Sequence, residues 1–246
     1  MTAIDFIATI EHEGAALGRT LAEGPDRPIA RYPTWTVVDL VAHTGSVHRW
    51  VAGLVTRGAM RPPARPAHRD RDPDRLADWF AAGIVLLVDA LRRTDPARPV
   101  WTMAADMTAG FWHRRMAHET GAHRWDAEHA TGRARPIDPQ LAVTGIPETL
   151  EIHVVRPLSG AAVGGRGERV AVHCTDVPGD WTVTLLAHRV EVQSEAGRAD
   201  ATVAGSASSV WLALMGRPAP DVETTGDERS LEAFRRALRL ADPPSF

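Results

Sequence analysis

Residues 114–130 read RRMAHETGAHRWDAEHA and lie in a predicted helix. An α-helix turns by about 100° per residue, so Glu119 and His123 lie about 40° apart on one face. Two side chains at this spacing can bind one metal ion together. His118 lies about 140° from His123 and is expected to point elsewhere, and the pattern HExxxH differs from the HExxH of zinc proteases. The stretch therefore predicts one half of a metal site.

Three more stretches with helical periodicity precede this helix, since apolar residues recur every three or four positions in each. Thr34 is the expected N-cap of the second helix and Asp72 of the third, and Gly132 is expected to end the fourth. The predicted helices span about residues 5–21, 34–57, 72–91 and 111–130. Four helices joined by loops predict a bundle, in which metal sites are built from side chains on facing helices.

The missing partner of Glu119 and His123 is expected on the second helix, which supplies two histidines. Residues 37–50 read VVDLVAHTGSVHRW, and His43 and His48 lie about 140° apart on such a helix. Both are therefore not expected to reach the same ion. Zinc accepts imidazole and carboxylate donors, and a catalytic zinc site keeps three protein ligands and one open position. Spacing alone leaves the choice of histidine open, and also leaves open an ordinary solvated helix face.

The second half of the sequence changes to strand-like patterns. Residues 136–147 are interpreted as a junction and residues 148–154 as a short helix. The predicted strands span residues 170–174, 181–186, 188–192 and 201–205, and the helices after them span residues 206–215 and 228–240. We therefore predict an α+β protein of two domains, with a helical bundle over residues 1–144 and a small α+β domain over residues 145–246.

Composition narrows the class of protein. The chain has 246 residues, 44% hydrophobic and 24% charged, with a net charge of −3 and no basic block, which argues against a nucleic-acid surface. Its one cysteine, Cys174, cannot form an internal disulfide, and we interpret it as a small buried apolar residue. The N-terminus does not resemble a signal peptide, and the apolar run 81–91 is too short to span a bilayer. A cytoplasmic protein without a membrane partner is the expectation.

Three stretches of the sequence resemble the mycothiol-dependent maleylpyruvate isomerase family, a branch of the DinB-like metal-binding bundles. Residues 35–50, WTVVDLVAHTGSVHRW, resemble the family's second helix, and residues 114–130 resemble its last bundle helix. Residues 199–218, ADATVAGSASSVWLALMGRP, followed by Gly226 and Asp227, resemble its small C-terminal domain. The stretches follow one another in the family's order and cover nearly the whole chain.

The resemblance implies a ligand set and a reaction. It places the metal on His43, Glu119 and His123, and Arg217 is the candidate for a catalytic arginine from the C-terminal domain. Zinc is the expected divalent metal, although nickel, iron and cobalt accept the same donors. Mycothiol is the implied thiol cosubstrate: its thiolate adds to the cis double bond of a maleylpyruvate-like substrate, the single bond rotates, and elimination gives the trans product.

Other functions stay open on the sequence. A mycothiol S-transferase acting on a small electrophile shares the first half of this reaction, and a non-catalytic metal-binding or regulatory module is an alternative of another class. Metal-assisted hydrolysis needs a nearby base, for which only Asp126 and Glu128 are candidates. Asp126 either orients a ligand histidine or is an exposed acid that caps or pairs with Arg124. His48 is interpreted as a partly exposed helix residue, with a substrate or ligand contact as its alternative.

Overall fold

The structure is a computed structural model that describes residues 4–65, 67–68, 70–155 and 162–240, without the side chain of residue 153. It divides into two compact units, Met1–Arg135 and Pro136–Phe246. The helices fill the first unit and the larger sheet lies in the second.

The first unit is a bundle of four helices with a small hairpin between the first two. The helices are α1 (Phe6–Glu23), α2 (Val37–Arg57), α3 (Pro73–Arg93) and α4 (Ala109–Ala130), and the hairpin pairs β1 (Pro28–Ile29) with β2 (Tyr32–Thr36). Helix α1 packs against α3 and α4, and α2 packs against the same two helices. The predicted bundle is confirmed, and α2 and α4 lie in contact as a shared site requires.

Side chains at the helix starts explain where the helices begin. Asp5 accepts hydrogen bonds from two backbone N–H groups of α1, and Asp72 caps α3 as predicted, with Pro73 in the first turn. The N-cap of α2 is Thr36, so the prediction of Thr34 is wrong. Strand β2 continues through Thr34 to Thr36, and Thr36 then forms a reciprocal capping box with Asp39.

The core of the bundle is apolar, but α4 turns many polar side chains inward. The largest fully buried residues of this unit include Phe80, Trp112 and Leu40. The buried polar residues of α4 are His118, Thr120, His123, Arg124, Asp126 and Glu128. Burying such groups is unfavourable unless each finds a partner. Polar residues on the packed face of α4 therefore mark a site or an ion-pair network rather than a solvated surface.

The second unit is a five-stranded sheet with helices. Its elements are α5 (Pro139–Thr149), a π-helical turn (Leu150–Val155), β3 (Glu168–Cys174), β4 (Asp180–Leu185), β5 (Val190–Gln193), β6 (Ala201–Gly205), α6 (Ala207–Leu214), β7 (Glu223–Gly226) and α7 (Glu228–Leu240). The strand order is β5-β4-β3-β6-β7, and β3 and β6 are parallel while the other pairs are antiparallel. The predicted α+β class is confirmed.

Two parts of the second unit differ from the sequence prediction. Residues 136–147 are not a junction, because Asp138 caps a helix that begins at Pro139 and passes through Pro147. Strand β7 was not predicted, since its residues ETTG are all exposed and carry no apolar alternation. The predicted domain boundary at residue 144 lies inside α5, whose Gly145 packs against the Trp211 ring of α6.

No helix in the described part of the chain is both long and apolar enough to cross a membrane.

Close packing of α2 against α3 predicts the effect of two glycine substitutions. A Cβ atom at Gly45 would lie 2.4 Å from the Trp79 ring, whereas one at Gly53 would meet only the flexible end of Arg57, at 3.2 Å. Gly45→Ala should therefore lower the free energy of unfolding by about 1–3 kcal/mol through overpacking. Gly53→Ala, in the same helix, should be neutral or stabilising by up to about 1 kcal/mol. Urea denaturation checks this, and equal effects of the two substitutions would contradict it.

Candidate metal centre

Helices α2 and α4 bring His43, Glu119 and His123 together. One donor atom from each of the three side chains can be chosen so that all lie within 4.8 Å of one another. Glu119 Oε1 lies 3.6 Å from His43 Nε2 and 3.7 Å from His123 Nε2. The two imidazole rings are nearly perpendicular, with centroids 5.6 Å apart. All three residues that the resemblance implied as metal ligands thus converge on one point, and ligation itself stays a prediction.

Glu119 is the only carboxylate in this cluster, and its charge is compensated from both sides. Its Oε2 accepts a hydrogen bond from the Arg115 guanidinium, one turn earlier on α4. Burial raises the pKa of the Glu119 carboxyl, but Arg115 and the two imidazoles outweigh burial and hold this pKa well below its usual range. Glu119 is therefore ionised, which is the form that binds a metal ion.

Asp126 fixes the orientation of His123. Its Oδ2 lies 3.2 Å from His123 Nδ1, and only 4% of the Asp126 residue is exposed. Of the two interpretations of Asp126, the exposed acid is wrong. Burial lowers the pKa of His123, but hydrogen bonds to Asp126 and Glu119 raise it above its usual value. When His123 Nδ1–H donates to Asp126, the lone pair of Nε2 faces the cluster, as in metal sites with a carboxylate behind the histidine.

Two aromatic residues of β2 pack on the imidazoles. The Trp35 ring lies 4.8 Å from the His43 ring, and the Tyr32 ring lies 6.0 Å from the His123 ring, between ring centroids. Tyr32 and Trp35 also contact each other, at 4.9 Å. The sequence predicts neither residue as part of the site. The sequence feature that could have indicated their role is weak: they lie on a five-residue strand immediately before the helix that carries His43.

His43 itself is largely buried. Burial lowers the pKa of the His43 imidazole, although Glu119 acts in the opposite direction. The imidazole is therefore neutral near pH 7 and able to donate a nitrogen lone pair.

Three other histidines of α2 and α4 make contacts outside the cluster. His48 is fully buried, so the prediction of a partly exposed residue is wrong; its Nε2 lies 2.9 Å from Thr120 Oγ1, and burial lowers its pKa to about 3. His118 packs edge-on against Phe6, and His129 stacks on Trp125. Among the residues that the structure describes, the cluster thus contains three candidate ligands and no fourth.

Two candidates from the sequence lie in the second unit. Arg217 follows α6, is 8% exposed, and donates a hydrogen bond to the Met215 carbonyl over 3.5 Å. Its catalytic role stays a prediction. Cys174 is buried in β3, and burial raises the pKa of its thiol to about 12. A thiol that stays protonated at neutral pH agrees with its interpretation as an apolar residue rather than a nucleophile.

The donor set fits a divalent ion. Two imidazole nitrogens and one carboxylate oxygen are ligands that zinc takes in sites with three protein ligands. Glu119 is ionised, His43 is neutral, and His123 is oriented by Asp126. These properties are the ones expected of metal ligands and of the residue behind them.

Residues 7–128 match the family described as "Mycothiol maleylpyruvate isomerase N-terminal domain". The chain belongs to the mycothiol maleylpyruvate isomerase family. This match includes all three residues of the cluster, and it makes the chain a member of a family of enzymes. The family prediction is thereby confirmed. Comparison of the sequence with curated proteins found no match.

Two solved structures support the family fold over both units. The crystal structure of the mycothiol-dependent maleylpyruvate isomerase aligns with a TM-score of 0.60 and 16% sequence identity, over 92% of this chain and 97% of the other. A mutant of that enzyme aligns with a TM-score of 0.59 and 15% identity, over the same shares. At this identity the likeness is evidence for the fold alone.

Removal of either histidine should abolish metal binding. We expect His43→Ala and His123→Ala to lose the zinc that copurifies with the wild type, because each removes one of three donors. His12→Ala, at an exposed position on α1, is the matched control and should keep full occupancy. Elemental analysis of dialysed protein measures this. Full metal content in both cluster variants would refute the site.

Loss of the contact between Asp126 and His123 should weaken metal binding less than loss of a ligand histidine does. Asp126→Asn keeps the size of the side chain but weakens the acceptor for His123 Nδ1–H. Loss of such a partner typically lowers metal affinity by about 10- to 100-fold. Competition with a zinc-binding dye measures the affinity. An affinity equal to that of the wild type would show that Asp126 does not orient the ligand.

Proposed function

We propose that the chain catalyses the mycothiol-dependent cis–trans isomerisation of a maleylpyruvate-like substrate, with a divalent metal, zinc as the expected ion, held by His43, Glu119 and His123. The observation that carries this proposal is the convergence of these three side chains, within the domain that matches the family. Two imidazoles and one carboxylate leave coordination positions for a small ligand, as catalytic sites do.

The side chains around the cluster set the ionisation of Glu119 and the orientation of His123. When bound, a divalent metal lowers the pKa of a coordinated thiol, so that a thiolate exists near neutral pH. Arg115 keeps Glu119 anionic, and Asp126 holds His123 in one tautomer. Tyr32 and Trp35 pack against the two imidazoles and add apolar surface on that side of the cluster.

Metal-assisted hydrolysis is less well supported, because both candidate bases are already engaged. Asp126 binds His123, and the Glu128 carboxylate pairs with Arg124 at 2.8 Å and with Arg135 at 2.6 Å. Burial raises the pKa of Glu128, but these two arginines outweigh burial and lower it. A carboxylate held in this way is a poor acceptor for a proton from water.

A structural metal is also less well supported. Such sites take four protein ligands. His118, His129 and His48, each of a type that could supply a fourth ligand, contact Phe6, Trp125 and Thr120 instead. The role of Arg217 and the cytoplasmic location stay predictions.

The reaction is tested with zinc-loaded protein, mycothiol and maleylpyruvate, beside a generic electrophile such as a haloalkane. We expect formation of the trans product with the thiol conserved, and at least a 100-fold loss of the rate in His123→Ala. Consumption of thiol with either substrate would instead identify an S-transferase at the same site. Neither reaction in a metal-loaded wild type would favour the non-catalytic module.

A further inference from the structure

Several described residues between α2 and α3 lie along the side of α2 that carries His43. Three contacts hold them to this helix. Trp50 Nε1 donates to the Pro63 carbonyl over 2.8 Å, the His68 N–H donates to Ser46 Oγ over 3.2 Å, and Arg71 pairs with Asp39 over 2.9 Å. We call residues 63–65, 67–68 and 70–71 the strap.

The three anchors on α2 share one stripe with His43. At about 100° per residue, Asp39, His43, Ser46 and Trp50 fall within about 60° of one another around the helix axis. As residue numbers rise from 63 to 71 along the strap, its partners on α2 fall from Trp50 to Asp39. The strap therefore runs antiparallel to α2 over the stripe that contains His43.

Arg65 is the cation that the strap carries between its first two anchors. It is two residues from Pro63 and three from His68, so its backbone lies within about 10 Å of both anchors. His43 is one turn of α2 from Ser46. These relations place the Arg65 backbone beside the stripe of α2 that carries His43, so that its guanidinium can reach the ligand cluster.

No group of the described residues neutralises the charge of Arg65. Arg65 is exposed, and the structure gives it no hydrogen bond or ion pair with any described residue. The neighbouring arginines differ: Arg71 pairs with Asp39, and Arg75 pairs with Asp70 at 2.8 Å. An unpartnered guanidinium beside a metal cluster that contains one carboxylate attracts anions, and a guanidinium binds a carboxylate through two parallel hydrogen bonds.

We propose that Arg65 binds a carboxylate group of the substrate beside His43, and so selects anionic electrophiles over neutral ones. Because it concerns the substrate of the same site, this role rests on the proposed function. Asp39 and Asp70 do not compete for the guanidinium, since each is paired with another arginine.

The test compares Arg65→Gln and Arg65→Lys with Arg61→Gln, a matched control at an exposed arginine of the same loop that precedes the first anchor. Binding of maleate and of monomethyl maleate to zinc-loaded protein is measured by calorimetry. A charge-assisted contact predicts that Arg65→Gln weakens maleate binding by roughly 10- to 100-fold. The monoester, which keeps one carboxylate, should be weakened less, and Arg65→Lys should restore part of the affinity.

Unchanged maleate binding in Arg65→Gln overturns the proposal, as does equal weakening in Arg61→Gln or the absence of maleate binding to the wild type. In turnover assays, Arg65→Gln should raise the KM for maleylpyruvate with little change in kcat. If maleate binding depends on Arg65 but no thiol-dependent turnover occurs, the anion site stands and the proposed reaction fails. Zinc content equal to that of the wild type verifies that Arg65→Gln leaves the cluster intact.

Discussion

The burial of one negative charge inside a helical bundle governs this molecule. An isolated carboxylate in an apolar interior is so unfavourable that it normally takes up a proton. Glu119 avoids this because Arg115 contacts one of its oxygens and two imidazoles flank the other. Arg115 and the imidazoles thus compensate the negative charge of Glu119. The same arrangement keeps Glu119 ionised and places the histidine nitrogens around a single point.

A second buried network fixes the helix that carries this charge. Arg124 lies on α4 between Glu13 of α1 and Glu128 of its own helix, at 2.6 Å and 2.8 Å. Removing one partner of a buried ion pair leaves an uncompensated charge, which typically costs about 3–5 kcal/mol. The network therefore joins α1 to α4 at the residue that follows His123. It constrains how α4 is rotated, and so which of its residues face α2.

The sequence predicts this site only in part, and the reason is geometric. Glu119 and His123 are four positions apart on one helix, so they share a face of it. This pair can therefore be predicted from spacing alone. The choice between His43 and His48 depends on how α2 is rotated relative to α4, which no pattern within α2 encodes. The family resemblance selected His43. The structure places His43 next to this pair and gives His48 a different environment, in which it stacks on Phe80 and contacts Thr120. The cover of the imidazoles by Tyr32 and Trp35 depends on contacts between elements, which the periodicity of a sequence does not report.

The aromatic residues next to the cluster and the three candidate ligands lie on different kinds of secondary structure. His43, Glu119 and His123 stand on helices of about twenty residues that the bundle core fixes, whereas Tyr32 and Trp35 stand on a hairpin of two short strands. Such a hairpin contributes little stability of its own. Substitutions there can reshape the surroundings of the cluster without disturbing its three side chains. The fold thus places the three candidate ligands and their aromatic neighbours on elements of unequal stability, so that the proposed metal chemistry and the range of substrates can change independently of each other.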